Sequence, residues 1–321
     1  MKEKKYLTTT LLLISSAIAS TAIINKAIFA TATKKDILKK YKHYSFNWRL
    51  GEVNYVKKGN GSPILLVHDL NSSSSSFEWN CIIDELSATN TVYAIDLLGC
   101  GTSEKTNITY TNYMYVQLIC DFIKNVIRHK TDVIASVNSC PIAVMSCLND
   151  NSLFNNIILV NPPSIATTSL VPTKSSKFLR LLINTPVIGT LVYNLTNSKD
   201  CILDKFKNQY FANSSHIKPQ FIDAYYESAH LNGSNSRFVN SSFKGNYTTA
   251  NISNAIKKID NSIIIIGGAK VENIKHVITD YTIINPSIES TIVSETKLLP
   301  HLESPYRFLK AIKPYISEIP D

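Results

Sequence analysis

Two hydroxyls, one imidazole and one carboxylate stand out as groups that could cooperate in nucleophilic chemistry. Ser136 and Ser139 lie in Ala135-Ser136-Val137-Asn138-Ser139-Cys140-Pro141, where an apolar run gives way to small residues. His301 lies in Pro300-His301-Leu302-Glu303-Ser304-Pro305, and Glu272 follows the Gly267-Gly268 pair. A serine whose proton is taken by a histidine, itself held by an acid, can attack a carbonyl carbon and form an acyl intermediate. Such chemistry requires the serine on a sharp turn and a set of rigid strands to aim the other two groups.

The elements that would do this are legible in the hydrophobic pattern. Phe46–Lys57 alternates with period two and reads as a hairpin partner. The turn residues 58–62 (Lys-Gly-Asn-Gly-Ser) follow. Short, continuous apolar runs at Ile64–Val67, Thr91–Ile95, Val133–Ala135 and Ile157–Val160 fit strands buried on both faces of a parallel sheet. Between them, Phe77–Leu86, Tyr113–Ile127 and Ile142–Leu148 read as helices. The alternation implies right-handed βαβ units. Residues 164–254 break the rhythm and read as a helical insertion, with Tyr193, Phe206, Tyr210, Phe211, Phe221, Tyr225 and Tyr226 as its packing aromatics. Sheet order resumes at Ser262–Ile266 and Ser290–Val293, and Tyr306–Ile316 closes the chain as a helix.

Two motifs are specific. An apolar strand ends on His68-Asp69-Leu70, and a second ends on Asp96 followed by Gly99, Gly101 and Ser103. Together with the element order they resemble the α/β-hydrolase superfamily over about residues 50–163 and 255–316. The resemblance implies an α/β fold with a mainly parallel central sheet, a core of residues 45–163 and 255–321, and a helical lid at 164–254. It implies an oxyanion loop at His68, Asp69 and Leu70, with His68 as a buttress beneath it. It places the nucleophile at the turn after Ala135, where two registers satisfy the need for small neighbours. Val137 at the apex is flanked by Ala135 and Ser139; Asn138 at the apex is flanked by Ser136 and Cys140. The left-handed backbone of such a turn suits Asn and disfavours β-branched Val. Spacing into the next helix, with Ala143 at its approach to the sheet, favours Val137.

Neither apex carries a nucleophile. By the same resemblance the histidine position falls on Leu298, the acid position on Lys270 or Val271, and an alternative acid position on Asn161. The expected reading is therefore a homologue with a degenerate triad that binds a small hydrophobic or carbonyl ligand, or a protein partner. The alternative is an active serine hydrolase of an ester, thioester or lipid-like substrate that uses displaced groups: Ser136 or Ser139, His301 and Glu272.

Residues 1–35 are a separate unit. Lys2, Lys4 and Lys5 precede Tyr6–Ile24, a stretch without charge and nearly long enough to span a bilayer. It reads as a single-pass anchor, or as a signal segment cleaved at Ala30-Thr31-Ala32 or Ala17-Ile18-Ala19. The short basic head favours export of the body, whereas Lys26, Lys34, Lys35, Lys39 and Lys40 crowd the other end. Of the formal net charge of +9 most sits in this region, and no basic run is interleaved with aromatics, so a nucleic-acid partner is not expected. The six Cys form no C-x-x-C pair and the His form no H-x-x-x-H or H-E-x-x-H, so neither a metal nor another cofactor is expected.

Overall fold

The computed structural model describes residues 2–40 and 42–316. Met1, Tyr41 and residues 317–321, the end of the expected core segment, lie outside the described residues. The apolar runs form strands because their side chains are buried on alternate faces of one sheet. Leu65, Val67, Val133 and Ala135 face one layer of helices, while Ile64, Leu66 and Ile134 face the other. The strands are β1 (Tyr44–Trp48), β2 (Gly51–Lys58), β3 (Ser62–Val67), β4 (Asn90–Ile95), β5 (Thr131–Ser136), β6 (Phe154–Val160), β7 (Ile263–Gly268) and β8 (Glu289–Val293). Their order across the sheet is β1-β2-β4-β3-β5-β6-β7-β8. β1 and β2 are antiparallel at one edge, and all pairings from β4 to β8 are parallel.

The helices are α1 (Lys2–Ala32), α2 (Ile83–Leu86), α3 (Asn112–Phe122), α4 (Cys140–Asn149), α5 (Ile165–Thr168), α6 (Lys174–Asn184), α7 (Ile188–Thr196), α8 (Lys199–Lys205), α9 (Pro219–His230), α10 (Ser236–Lys244), α11 (Ser253–Lys258), α12 (Ile274–Ile284), α13 (Pro300–Glu303) and α14 (Pro305–Ile312). α5 to α10 lie between β6 and α11, which returns to the core by packing on α4.

The expected helix over Phe77–Leu86 is instead a tight turn at Ser76–Trp79 followed by α2. Ser76 N–H donates to Asp96 Oδ1 at 2.6 Å, and Glu78 turns into the interior. These fixed polar ties hold the segment in short turns. α12, which the hydrophobic pattern did not single out, joins β7 to β8.

The Asp96 turn ties this half together. Its carboxylate accepts Ser76 N–H, Thr102 N–H at 2.7 Å and Thr102 Oγ1 at 2.6 Å. Gly101 has φ +53°, and a Cβ there would lie 2.4 Å from the Asp96 carboxyl carbon, so only glycine fits. Gly101 N–H donates to Ser228 Oγ of α9, which in turn donates to Ser74 O. The helical insertion, in the place expected for a lid, is thereby hydrogen-bonded to the sheet's C-terminal edge.

Candidate functional site

β5 ends at Ser136, the chain turns through Val137–Ser139, and α4 begins at Cys140 with Pro141 in its first turn. Proline suits that position because no helical N–H is lost. Val137 occupies the apex, at φ +45°. Spacing prevailed over the conformational preference that pointed to Asn138. Left-handed backbone costs an L-residue about 1–2 kcal/mol. Val137 is buried against the lid with Phe77, Tyr210, Tyr225, Leu299 and Leu302. Burying a valine contributes about 1.5–3 kcal/mol, enough to offset that strain.

Neither serine occupies the apex of the turn. Ser139 Oγ is buried and donates to His68 O at 2.6 Å. Ser136 Oγ is buried without a hydrogen-bond partner; it lies close enough to Glu78 to stabilise that carboxylate, but outside hydrogen-bonding geometry. His68 is also fully buried: its Nε2 accepts Leu97 N–H at 3.0 Å, and its Nδ1 lies 2.7 Å from Asp69 O.

The N–H after the apex, the group that would stabilise an oxyanion, is already engaged. Asn138 N–H donates to Asp69 Oδ1 at 3.0 Å, and Asn138 Nδ2 donates to the same oxygen at 2.8 Å. Asn71 Nδ2 donates to Asp69 Oδ2 at 2.6 Å. A carboxylate of the chain itself thus fills the seat an oxyanion would take. Burial, then the nearby charge of Glu78, raise the Asp69 carboxyl to about 6, against the opposing hydrogen bonds from Asn138 and Asn71.

His301, expected either as a working base or as a surface residue at a helix start, is neither exposed nor paired with Glu272. It is fully buried in α13, and its Nε2 lies 3.2 Å from Glu78 Oε1. Its ring stacks on Trp79 with centroids 4.1 Å apart. Its Nδ1 is buried without a partner. Glu78 also accepts Tyr225 OH at 3.1 Å and Asp69 N–H at 3.3 Å. Burial alone would raise the Glu78 carboxyl; the hydrogen bond and charge of His301, with the charge of His68 and the nearness of Ser136, outweigh it and hold it below the usual range. Glu272 lies exposed in the turn between β7 and α12.

The remaining expected positions are structural. Leu298 packs against the lid cluster. Lys270 is exposed, with its Nζ 3.8 Å from Glu295 Oε1. Val271 N–H closes a turn onto Gly268 O at 3.0 Å. Asn161 follows β6 at φ +48°; its amide donates to Lys297 O and Leu298 O, and its oxygen accepts Gly268 N–H. An amide that both donates and accepts can stitch three strand ends where a carboxylate could only accept.

Sequence reasoning missed Glu78, and it read Tyr225 only as a packing aromatic. A signal for the first existed: Glu78 is the one charged residue between Asp69 and Asp84, in a stretch of serines and apolar residues. Buried carboxylates require partners, so an acid there pointed to an inward cation or donor.

The site is roofed by Phe206, Tyr210, Phe211, Phe221 and Tyr225, which pack on one another and on Val137. Beside this roof, a groove of about 690 Å³ runs along α6, α7 and α8, with Leu179, Val192 and Lys205 in its walls. Lys205 is near enough to Asp69 for their charges to interact. Among the described residues, no group of three or more His, Cys, Asp or Glu side chains is arranged to hold a metal ion.

No protein-family model matches the chain. A 2-hydroxy-6-oxo-6-(2'-aminophenyl)hexa-2,4-dienoic acid hydrolase of Metapseudomonas resinovorans is 34% identical over 74 residues, which is 23% of this chain. The chain spans about a quarter, 26%, of that relative's length. A serine hydrolase involved in carbazole degradation superposes with a TM-score of 0.70 at 16% identity, over 85% of this chain and 98% of that one. An epoxide hydrolase, CorEH, superposes with a TM-score of 0.66 at 19% identity, over 86% of this chain and 99% of the other. A membrane phospholipase A described as a bacterial virulence factor superposes with a TM-score of 0.67 at 14% identity, over 97% of each chain.

Proposed function

Because the chain has the α/β-hydrolase fold, we propose from that premise that it is a membrane-tethered member of that architecture which holds its ligand without a serine acyl-transfer step. The ligand is a small hydrophobic or carbonyl compound, or a protein partner, engaged through the lid. One observation carries this reading: the nucleophile turn bears Val137, and the anion seat beside it is filled by Asp69 Oδ1. With no attacking oxygen at the apex and the N–H that follows it already bonded to Asp69, the elbow lacks the nucleophile and one of the donors that acyl transfer needs.

The test is direct. A fluorophosphonate probe should leave the purified full-length chain unlabelled at Ser136 and Ser139, and p-nitrophenyl esters should not turn over. Covalent capture of either serine would overturn the reading.

The relatives favour a second reading, hydrolysis of an ester, thioester or lipid-like substrate, since those whose activity is named are hydrolytic enzymes. Within the chain, the buried His301–Glu78 pair speaks for it: a histidine oriented by a carboxylate is a general base. Such a reaction would run through a lifted lid, with the unpartnered Nδ1 of His301 or the Ser136 hydroxyl next to the substrate. Ester turnover that disappears in His301→Ala, with the fold intact by circular dichroism, would select this reading over the first.

For the tether, α1 is 31 residues long and contains an apolar span, Thr9–Ala32, with a mean hydropathy of 1.7. Ala30-Thr31-Ala32 lies inside that helix. Asn25 and Phe29 pack against the lid. A segment used in folding the body supports an uncleaved anchor over a discarded leader. Export of the body, favoured by the short basic head, belongs to the same proposal.

A further inference from the structure

The lid carries an apolar face with nothing over it. α6 and α7 form a hairpin bent by 102°, and Phe178, Leu181, Leu182, Ile188, Val192 and Leu195 point outward. Leu181, Ile188 and Leu195 are 64%, 65% and 58% exposed. A contiguous apolar surface of this kind on a folded body marks a contact site.

The identity of what covers it follows from three observations. First, the hairpin is continuous with α1. Asn25 Nδ2 donates to Val187 O at 2.9 Å, and Asn194 Nδ2 donates to Asn25 Oδ1 at 2.9 Å. Val187 is the hinge of the hairpin, at φ +61°, so the anchor helix grips the lid at its bend. Second, Asn25 marks the level at which α1 leaves the body. Only 6% of the apolar span is covered by protein, and Ile18, Ile23 and Ile24 beyond this level are exposed. The apolar hairpin is thus fixed beside the point where the anchor meets its own solvent. Third, no acidic residue occurs between Asp150 and Asp200, while Lys174, Lys177, Arg180 and Lys199 fall in that interval. Lys199 is paired with Asp223 and Arg180 is tied inward to Thr109, so the exposed bases beside the apolar face are Lys174 and Lys177. Apolar side chains beside exposed bases are the composition of a helix that lies in a lipid headgroup layer.

We propose that the α6–α7 hairpin is an interfacial membrane element: it lies in the outer few ångströms of the same anionic bilayer that α1 crosses, with Leu181, Ile188 and Leu195 immersed. This inference rests on α1 being an anchor. It sets the sheet's C-terminal edge, and the groove beside α6 and α7, toward lipid.

The experiment uses the full-length chain in phosphatidylcholine–phosphatidylglycerol nanodiscs, with Cys81 and Cys201 replaced by Ser. Leu181→Cys, Leu195→Cys, Leu12→Cys and Ser152→Cys are each labelled with a polarity-sensitive fluorophore, and quenching is read with shallow spin-labelled lipids for 181, 195 and 152 and with deep ones for 12. Ser152 is exposed near the N-terminal ends of the strands, away from the lid. The labels at 181 and 195 should be quenched at least about twofold more than the label at 152. Quenching at 12 but not at 181 or 195 overturns the proposal and leaves the anchor standing. Loss of quenching at all three overturns both. Blue-shifted but unquenched labels at 181 and 195 would mean that a second copy covers the face, which also overturns it.

Discussion

At the scale of residues, the site turns on Val137 and Asp69. Restoring the serine by itself should not be enough. Val137→Ser should remain unlabelled by a fluorophosphonate, because Asn138 N–H is still bound to Asp69 Oδ1. Val137→Ser combined with Asp69→Gly and Leu298→His should label, since the added changes empty the anion seat and supply the base. Labelling rates of the two variants check this. Asp69 also leaves a pH signature. Its folded carboxyl lies near 6, above the ordinary 3.8, so its contribution to stability is complete below about pH 4 and is lost as pH rises through 6. Asp69→Asn removes that dependence. Between pH 4 and pH 7 the parent should lose ~2–3 kcal/mol of stability that the variant does not lose. Urea unfolding in detergent at the two pH values measures the difference. Residue-level legibility was mixed. The small neighbours of the apex were readable from spacing, and the register was ambiguous because the φ preference and the helix spacing disagreed. The Glu78–His301 pair was hidden because its members are 223 positions apart and only the folded sheet brings them together.

At the scale of elements, the runs that became β3 to β7 were legible because isoleucine and valine have one consistent destiny when both faces of a sheet are covered. The segment after β3 was not. Its local sequence permits a helix, and long-range ties to Asp96 and His301 override that preference. α1 shows the same limit. Its apolarity was plain, but a single polar residue within it, Asn25, decides how it meets the body. Asn25→Leu should leave Val187 O and Asn194 without partners, at a cost of about 1–3 kcal/mol. The penalty falls on the hairpin rather than the core, so limited proteolysis should cut near Pro186–Ile188 sooner while the global unfolding midpoint shifts little. Equal protection of that bend in both proteins would show that α1 does not restrain it.

At the scale of the whole molecule, the core and the lid respond to different perturbations. Glu78 is buried under the lid and balanced by His301, so His301→Ala leaves an uncompensated charge inside and should destabilise the chain by about 3–5 kcal/mol. Glu78→Gln keeps an acceptor for Tyr225 and should cost less, which thermal melts of the two variants can rank. The lid's division of labour was partly legible: its aromatics were read as packing, whereas the outward leucines of α6 and α7 drew no notice because hydropathy does not say which way a side chain points. The grip of Asn25 on the bend has a kinetic consequence. With α1 as the anchor proposed above, a body held to its stalk by a clamp rather than a free tether would keep one heading, and its search for a partner would be confined to a plane. Encounters with molecules dissolved in that plane then become frequent, while those arriving from bulk water meet the sheet's far edge first.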